Sequence, residues 1–430
     1  MKHILFIGDF IPAQNYGSIA TTETLKKLVS SVSKDAEIRY IDVRSYGKPT
    51  PVGGFLPFGV PEKSLFGFIK RLLPPTAIPL MRSWNKKLKK NLGIKTSFLP
   101  YRYSLFEEYY DKMQQGEILR YEKELLEWAD IVLVNGEGTI VNGTDKDGKY
   151  SVGGLYTFYL SWLAKVKYNK PTCLVNHTVD PANNDAYEII ENLYPKLDYV
   201  CVREPLSLIK LKEHGITNAS FVPDSLFSYV PVKDWKPTAE LLKQIDFSKP
   251  YILVGDSAGI WKNPYLPVVK WDVVEVFSDL ITQLQKVVPQ VVFVDGFNGW
   301  SKDINKVIKK FDLGYVNLKN CTYHDLFYVL KGAEIFISGR WHNSILSAVA
   351  NTPILLWGSD SHKTRALYTI LEYPYQFFAI NSFPIHTEDM AACAKKIIEE
   401  KDAVKKSLKE KVDQYAPLTS GNVKFLKEVL

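Results

Sequence analysis

The sequence predicts an α/β fold with two Rossmann-like domains that face each other across a cleft, each built on a parallel sheet. Three observations support this prediction. Short apolar runs alternate with helical stretches, a pattern typical of right-handed βαβ units. These units form two series, separated by a polar segment at 230–250 that contains three prolines. The 430 residues are also enough for two or three domains.

The first series begins at the amino terminus and predicts an N-terminal domain over 1–235. Lys2–Gly8 is an apolar run that ends in glycine, as expected of a buried parallel strand. Apolar residues at helical spacing follow within 15–33, and 37–43 returns to a strand. Three further strands are predicted at Ile131–Asn135, Thr172–Asn176 and Tyr199–Arg203. The segment 45–115, rich in turns, aromatic residues and basic residues, interrupts the series as an insertion.

The second series predicts a C-terminal Rossmann-like domain over 245–385. Its predicted strands are Tyr251–Gly255, Val291–Val294, Tyr315–Leu318, Ile335–Ser338, Ile354–Trp357 and Phe377–Ile380. Helices are predicted between them at about 272–288, 322–331 and 342–350. The remaining residues, 386–430, are charged and amphipathic, and we expect a helical tail there. Because ligands of such sheets bind at the carboxyl ends of the strands, we expect the chemistry immediately after each strand.

The composition excludes several classes of protein. With 46% hydrophobic and 23% charged residues the chain can form a core, which excludes a disordered chain. The four cysteines are isolated from one another, so we expect a reducing compartment and no metal site. No apolar stretch approaches the ~18 residues that a spanning helix needs, and no signal-peptide cleavage site follows the first strand. The sequence therefore predicts a soluble, cytoplasmic protein.

The net charge of +7 is concentrated in one part of the chain. Residues 61–100 contain nine basic residues and one acidic residue, so the other 390 residues carry −1 in total. Two interpretations remain open. The cluster is either a solvated basic face or, because apolar residues are interleaved, a contact for an anionic membrane surface or a lipid-phosphate acceptor. The second would place the protein peripherally at the inner face of the membrane. No recognition helix accompanies the cluster, and we expect no nucleic-acid partner.

Residues with chemical potential concentrate at the ends of two neighbouring strands of the second series. Gly339, Arg340 and His342 follow one strand just where a helix begins, and this combination of a fixed cation, an imidazole and helix-start N–H groups suits an anion. His362 and Lys363 follow the next strand. The alternative is that Arg340 and His342 only cap the helix or pair locally.

Two charged residues follow strands of the first series. Arg203 closes a predicted strand and is expected to face the ligand side of the sheet, unless it only pairs with a nearby acid such as Glu204. Asp224 follows another short strand, either as an acceptor for a sugar hydroxyl or as a cap at the hinge between the domains.

Polar turns that contain glycine follow two strands of the first series, and glycine allows the backbone to approach a ligand closely. The candidate substrate-binding residues in these turns are Asp9, Asn15, Tyr16, Gly17, Asn135, Gly136 and Glu137. Neither turn matches the GxGxxG fingerprint or the phosphate loop, so dinucleotide or ATP binding has no support from a motif.

The order and spacing of five segments resemble the polysaccharide pyruvyl transferase family. These segments are NYGSIATTETL, VNGEGTI, VREPLSL, VPDSLF and SGRWHNSILSAVANTPILLWGSDSHK. The resemblance runs from about Asn15 to Tyr368, with the insertion 45–115 outside it. It implies a two-domain arrangement similar to GT-B glycosyltransferases. It also implies transfer of the enolpyruvyl group of phosphoenolpyruvate onto two sugar hydroxyls, which gives a pyruvate ketal and phosphate without a cofactor.

The resemblance also implies roles for single residues. The essential arginine of the family matches Arg203, and its downstream lysine matches Lys363. Its motif of a basic, an aliphatic and a histidine residue matches Arg340–Trp341–His342, except that Trp341 replaces the usual leucine. This exchange leaves the cation and the histidine in place, and we expect it to reshape the acceptor pocket.

The implied chemistry agrees with the residue types. Phosphoenolpyruvate carries a phosphate and a carboxylate, which need cations that stay charged, and Arg203, Arg340 and Lys363 provide them. Addition of a hydroxyl to the enol carbon requires a proton on the methylene carbon, and His342 is the candidate acid. A carboxylate must accept the hydroxyl proton, and Asp9, Glu137 and Asp224 remain open for that role. The acceptor sugar, free or lipid-linked, belongs to a precursor of a surface polysaccharide.

Two other functions remain as alternatives. A GT-B-type glycosyltransferase that uses a nucleotide sugar would share the fold, and an acidic residue placed to bind a ribose in the second domain would favour it. We assign no such residue. A non-catalytic carbohydrate-binding protein is the third reading. The presence of Arg203, Arg340, His342 and Lys363 argues against it, because a decayed site should have lost some of them.

Overall fold

The structure is a computed structural model that describes residues 1–12, 15–42, 99–141, 152–181, 184–260, 271–295, 302–317, 321–359 and 361–430. It consists of two parallel sheets with helices packed around them, as the alternation of strands and helices predicts. The basic cluster at 61–100, except its last two residues, and most of the insertion at 45–115 lie outside the described residues. The predicted membrane contact through this cluster therefore stays a prediction.

The first sheet has six strands in the order β2-β1-β3-β4-β5-β6, and every neighbouring pair is parallel. The strands are β1 Lys2–Asp9, β2 Ala36–Asp42, β3 Ile131–Ile140, β4 Thr172–Val179, β5 Tyr199–Val202 and β6 Ala219–Phe221. Alternate residues of β1 enter two separate cores, with Leu5 and Ile7 on one face and Ile4 and Phe6 on the other. The inner strands β1, β3, β4 and β5 are buried on both faces, which explains their nearly continuous apolar sequences, whereas the edge strands β2 and β6 are only partly buried.

Helices of the first domain begin and end at residues suited to those positions. They are α1 Tyr16–Val32, α2 Phe106–Gln114, α3 Arg120–Trp128, α4 Val152–Trp162, α5 Asn184–Leu193 and α6 Pro205–Glu213. Asn15 caps α1, because its side-chain oxygen accepts from the backbone N–H of Gly17 at 2.9 Å. In the same way Glu204 caps α6 by accepting from the backbone N–H of Ser207 at 2.8 Å, with Pro205 in the first helical position.

The second sheet has five parallel strands in the order β11-β10-β7-β8-β9. They are β7 Tyr251–Ser257, β8 Gln290–Val294, β9 Gly314–Val316, β10 Ile335–Gly339 and β11 Ile354–Leu356. The strand expected at Phe377–Ile380 is not formed. Phe378 makes only an isolated bridge to Trp357, and the chain turns into a 3₁₀ helix at Ile380–Ile385. The apolar run reflects the burial of the Phe378 ring in the core.

The α-helices of the second half lie before, between and after the strands of the second sheet along the chain. They are α7 Ala239–Leu242, α8 Val273–Gln285, α9 Lys302–Phe311, α10 Tyr323–Gly332, α11 Trp341–Val349, α12 Lys363–Leu371, α13 Thr387–Glu399, α14 Lys401–Tyr415 and α15 Lys424–Val429. The chain end returns to the first domain, where Phe425 and Leu426 pack in the core with Ile4 and Phe6. Within the described ranges, no helix has both the length and the apolar character needed to span a membrane.

The two domains meet where α1 packs against the second domain. Tyr16 and Ala20 of α1 belong to the hydrophobic core of that domain, and the Tyr323 hydroxyl donates to Glu23 of the same helix. Helix α1 begins after β1, and α11 begins after β10. The contact between α1 and α11 therefore brings the carboxyl edges of the two sheets together, which is where α/β sheets place their ligands.

Candidate active site

A buried charged cluster joins the two domains at this edge. Arg203 directly follows β5, Asp224 follows β6, and His342 lies in the first turn of α11. Arg203 Nη1 lies 3.0 Å from Asp224 Oδ2 and 2.8 Å from His342 Nε2. The exposed fractions of Arg203, Asp224 and His342 are 1%, 0% and 8%. The structure thus brings together three of the residues that the sequence singled out, from positions 21 to 139 residues apart.

The contacts of His342 define the roles of its two ring nitrogens. A guanidinium only donates hydrogen bonds, so in the neutral imidazole Nε2 accepts from Arg203 and Nδ1 carries the proton. In the imidazolium both nitrogens carry protons, and each faces a carboxylate, because Asp224 Oδ2 lies 3.3 Å from Nε2. Nδ1 lies 3.4 Å from Glu137 Oε1, and Ser18 Oγ donates to the same oxygen at 2.9 Å. His342 therefore lies between a fixed cation and a carboxylate, which is an arrangement that suits proton transfer.

Glu137 is an ionised carboxylate in a strained backbone position. Burial alone would raise its pKa, but the electrostatic effects of His342 and Arg203 outweigh burial and hold the pKa below its ordinary value. Its φ of 45° lies in the left-handed region, which costs a non-glycine residue about 1 kcal/mol or more. The backbone N–H of Gly138 donates to the second carboxylate oxygen. This irregular part of β3 thus holds the carboxylate at His342 at the expense of local strain.

Asp224 is the centre of the cluster and has no exposed surface. Its Oδ1 accepts from Thr21 Oγ1 at 2.7 Å and from the backbone N–H of Leu226 at 3.0 Å, so it caps the turn that follows. Its Oδ2 accepts from Arg203 and from Trp341 Nε1, the latter at 3.0 Å. Burial raises the pKa of Asp224, but His342, Arg203 and these donors outweigh it and hold the pKa far below its ordinary value.

Trp341 is buried, and its indole is directed towards the first domain. Besides donating to Asp224, its ring lies 5.5 Å from the guanidinium carbon of Arg203. Trp341 therefore holds Asp224 and Arg203 in position. The expectation that Trp341 reshapes an acceptor pocket stays a prediction.

Arg340 is held by its own domain. It forms a two-pronged ion pair with Asp256 of β7, with Nε to Oδ1 at 2.6 Å and Nη2 to Oδ2 at 2.5 Å. The preceding Gly339 passes so close to the end of β7 that a Cβ atom there would lie 2.4 Å from Ser257 Cβ. A second guanidinium is thus fixed at the same edge of the sheet. Sequence reasoning missed Asp256, although an acid directly after a predicted strand was the signal that could have found it.

The remaining candidates of the first domain have structural contacts. Asp9 accepts from Lys26 Nζ at 2.7 Å. Asn135 is fully buried, and its amide donates to the carbonyl of Gly8 at 3.0 Å. Gly136 packs against His177, where a Cβ atom would lie 2.6 Å from the His177 Cβ.

The start of α1 lies close to the charged cluster. Asn15 caps the helix, Tyr16 enters the core, and Gly17 lies against the His342 ring. In the second domain, His362 pairs with two carboxylates of the first domain, and Lys363 begins α12 beside it. The cluster of Arg203, Asp224, His342 and Glu137 therefore gathers part of the candidate set, while Asp9, Asn135 and His362 have partners elsewhere.

The two facing parallel sheets, with charged residues of both at their carboxyl edges, define a GT-B fold. Sucrose-phosphate synthase from Thermosynechococcus elongatus superposes with a TM-score of 0.56 at 12% identity, covering 100% of this chain and 99% of that chain. For the UDP-GlcNAc 2-epimerase from Neisseria meningitidis, bound to UDP-GlcNAc, the TM-score is 0.55 at 11% identity, with 100% of each chain covered. These likenesses show the fold.

The sequence, in contrast to these likenesses of fold, shows the family of the protein. The family model described as polysaccharide pyruvyl transferase matches residues 15–361, and the chain belongs to this family. It is therefore an enzyme, a transferase of polysaccharide biosynthesis, as the five motif segments predict. No curated protein sequence is similar enough to this chain to count as a match.

Proposed function

We propose that this protein transfers the enolpyruvyl group of phosphoenolpyruvate onto two hydroxyls of one sugar in a surface-polysaccharide precursor, which forms a pyruvate ketal and releases phosphate. The observation that carries this proposal is the position of His342, between Arg203 of the other domain at 2.8 Å and Glu137 at 3.4 Å. A proton donor beside a fixed cation suits the protonation of an anionic enol compound.

The proposed reaction has two additions at one carbon. His342 gives a proton to the methylene carbon, and the first sugar hydroxyl forms a C–O bond to the adjacent enol carbon while a carboxylate accepts its proton. The C–O bond to phosphate then breaks with its electron pair on the phosphate, and the second hydroxyl closes the ketal. One of the two hydroxyl protons returns to His342, which gave its own proton to the methyl group. The other hydroxyl proton leaves with the phosphate.

Glu137 is our choice for the carboxylate that accepts the hydroxyl proton. It is ionised and directed at His342 Nδ1, so it can return a proton to the imidazole. Asp224 is fully buried and holds four hydrogen bonds, and Asp9 pairs with Lys26. Asp224 also faces the imidazole, with Oδ2 3.3 Å from His342 Nε2, but its full burial and its hydrogen bonds to protein donors favour Glu137 for this role.

Arg203 is the proposed contact for an anionic group of the donor. Its hydrogen bonds to described residues use Nε, which donates to Thr178 Oγ1 at 2.9 Å, and Nη1. Its Nη2 lies beside Gly138, where a Cβ atom would be 3.5 Å away. A glycine at this point leaves room for a carboxylate or phosphate next to Nη2. Arg340 and Lys363 are the proposed further cations.

The test is the release of phosphate from phosphoenolpyruvate by the purified full chain. We expect release that depends on a sugar acceptor, supplied as lipid-linked and nucleotide-linked saccharides, together with a pyruvate ketal in the product by NMR. Release of a nucleoside diphosphate from a nucleotide sugar, without any phosphate from phosphoenolpyruvate, would identify a glycosyltransferase instead. Saccharide binding without turnover of either donor would identify a carbohydrate-binding protein.

Replacing Trp341 with phenylalanine is expected to lower kcat/KM for phosphate release about tenfold. The ring remains in the core, but Asp224 loses a charged hydrogen bond of about 1.5–3 kcal/mol. The melting temperature is measured alongside the rate. Trp357→Phe is the matched control, because the Trp357 indole N–H is buried without a hydrogen-bond partner among the described residues. Equal rates in the two variants would contradict the positioning of Asp224 by Trp341.

A further inference from the structure

A second charged contact joins the two domains beside the cluster. His362, at the start of α12, lies between two carboxylates of the first domain, and we name Asp180, Glu204 and His362 the interdomain triad. His362 Nδ1 lies 3.2 Å from Asp180 Oδ2, and Nε2 lies 3.1 Å from Glu204 Oε2. The backbone N–H of His362 also donates to Asp180 Oδ2 at 2.9 Å. Sequence reasoning placed His362 with the substrate, but its ring is occupied on both sides by protein.

The charges around His362 favour its imidazolium form. The titratable groups that face it are Asp180 after β4 and Glu204 before α6. Lys210 of α6 donates to Asp180, and Tyr187 of α5 lies beyond it. The two carboxylates beside His362 thus outnumber the one lysine that pairs with Asp180, and the negative charge is in excess. Burial lowers the pKa of His362, but the nearby carboxylates of Asp180 and Glu204 outweigh burial and raise the pKa to about 9. At neutral pH the triad is an ion pair network across the domain boundary.

The triad fixes the chain segments that form the active-site cluster. Glu204 directly follows Arg203, and Asp180 lies two residues after Thr178, which accepts from Arg203 Nε. His362 directly precedes α12, which packs against α11, the helix that carries His342. The triad therefore spans the same two domains, at neighbouring residues, as the 2.8 Å contact between Arg203 Nη1 and His342 Nε2.

We propose that His362 is a positioning residue, whose imidazolium is held by Asp180 and Glu204 and closes the two domains so that Arg203 meets His342. The closure itself is independent of the reaction, and only its effect on turnover rests on the proposed function. Because the pKa of His362 is raised above its ordinary 6.5, the closure is complete below about pH 6.5 and is lost as the pH rises through about 9.

The experiment compares small-angle X-ray scattering of the full chain at pH 7 and pH 10. We expect the wild type to expand between these pH values, and His362→Gln to be expanded already at pH 7 without further change. His362→Lys keeps a positive charge at pH 10, and we expect it to remain compact there. His386→Gln is the matched control, because His386 pairs with Asp389 at 2.7 Å within one helix end of the second domain.

The rates separate this role from substrate binding. We expect His362→Gln to lower kcat for phosphate release at least tenfold at pH 7 and His362→Lys to restore it, with the circular dichroism spectrum unchanged. The proposal is overturned if His362→Gln gives the same scattering as the wild type at both pH 7 and pH 10. A rise in KM for phosphoenolpyruvate with unchanged scattering also overturns it, because that result makes His362 a substrate ligand. Expansion of the variant without phosphate release by the wild type supports closure by the triad and contradicts only the proposed reaction.

Discussion

Replacing His342 with glutamine is expected to lower kcat/KM for phosphate release from phosphoenolpyruvate by about 100- to 10,000-fold, the contribution of a positioned general acid. Glutamine offers an oxygen that accepts from Arg203 Nη1, so the buried guanidinium keeps its partner and the fold is retained. An amide cannot donate a proton to the methylene carbon. The loss is therefore expected in kcat, while KM for phosphoenolpyruvate changes little, because Arg203 and Arg340 remain.

The matched control for this variant is His324→Gln. His324 lies on α10 of the same domain, half-buried, with Nδ1 2.8 Å from the Tyr229 hydroxyl and outside the cluster. We expect wild-type rates from it. Full activity of His342→Gln would remove His342 from the proposed proton transfer. Loss of activity in both variants would point to a general effect of histidine exchange on the second domain.

The placement of the active-site residues at strand ends could be predicted from the sequence. An apolar run that closes on Arg203 or leads into Arg340 and His342 puts the charge at the carboxyl edge of a parallel sheet, whatever the sheet packs against. The two-domain fold was predicted from the two series of apolar runs that alternate with helical stretches. The strand expected at Phe377–Ile380 was wrong, because an apolar run also arises when rings such as Phe378 fill a core without pairing.

The partners of these residues could not be predicted, because they come from the other domain or from distant strands. Arg340 and Asp256 are 84 residues apart, and His362 reaches back 182 residues for Asp180. A short sequence window contains no information on such pairs. It shows a basic residue at a strand end, but it does not show whether a ligand or a carboxylate of the protein faces it. His362 and Asp9 were therefore placed with the substrate, although both have protein partners.

Replacing Gly17 with alanine is expected to lower kcat/KM about 100-fold, although the change adds one methyl group. A Cβ atom on Gly17 would lie 2.3 Å from His342 Cβ and 2.7 Å from its Nδ1. Either α1 moves away from α11 or the imidazole shifts by about 1 Å, and a misplacement of that size can cost about 100-fold in rate. Overpacking of this kind also costs about 1–3 kcal/mol in the free energy of unfolding.

The control separates the loss of stability from the loss of rate. A Cβ atom on Gly332 would lie 2.5 Å from the Tyr251 hydroxyl, at the start of β7 and thus at the edge of the second sheet opposite to the cluster. We expect Gly332→Ala to lower the free energy of unfolding by a similar amount and to keep the wild-type rate. If Gly17→Ala also keeps the wild-type rate, the close approach of α1 to His342 is a packing detail. A selective loss of rate would mean that the bare backbone of Gly17 sets the position of the proton donor across the domain boundary.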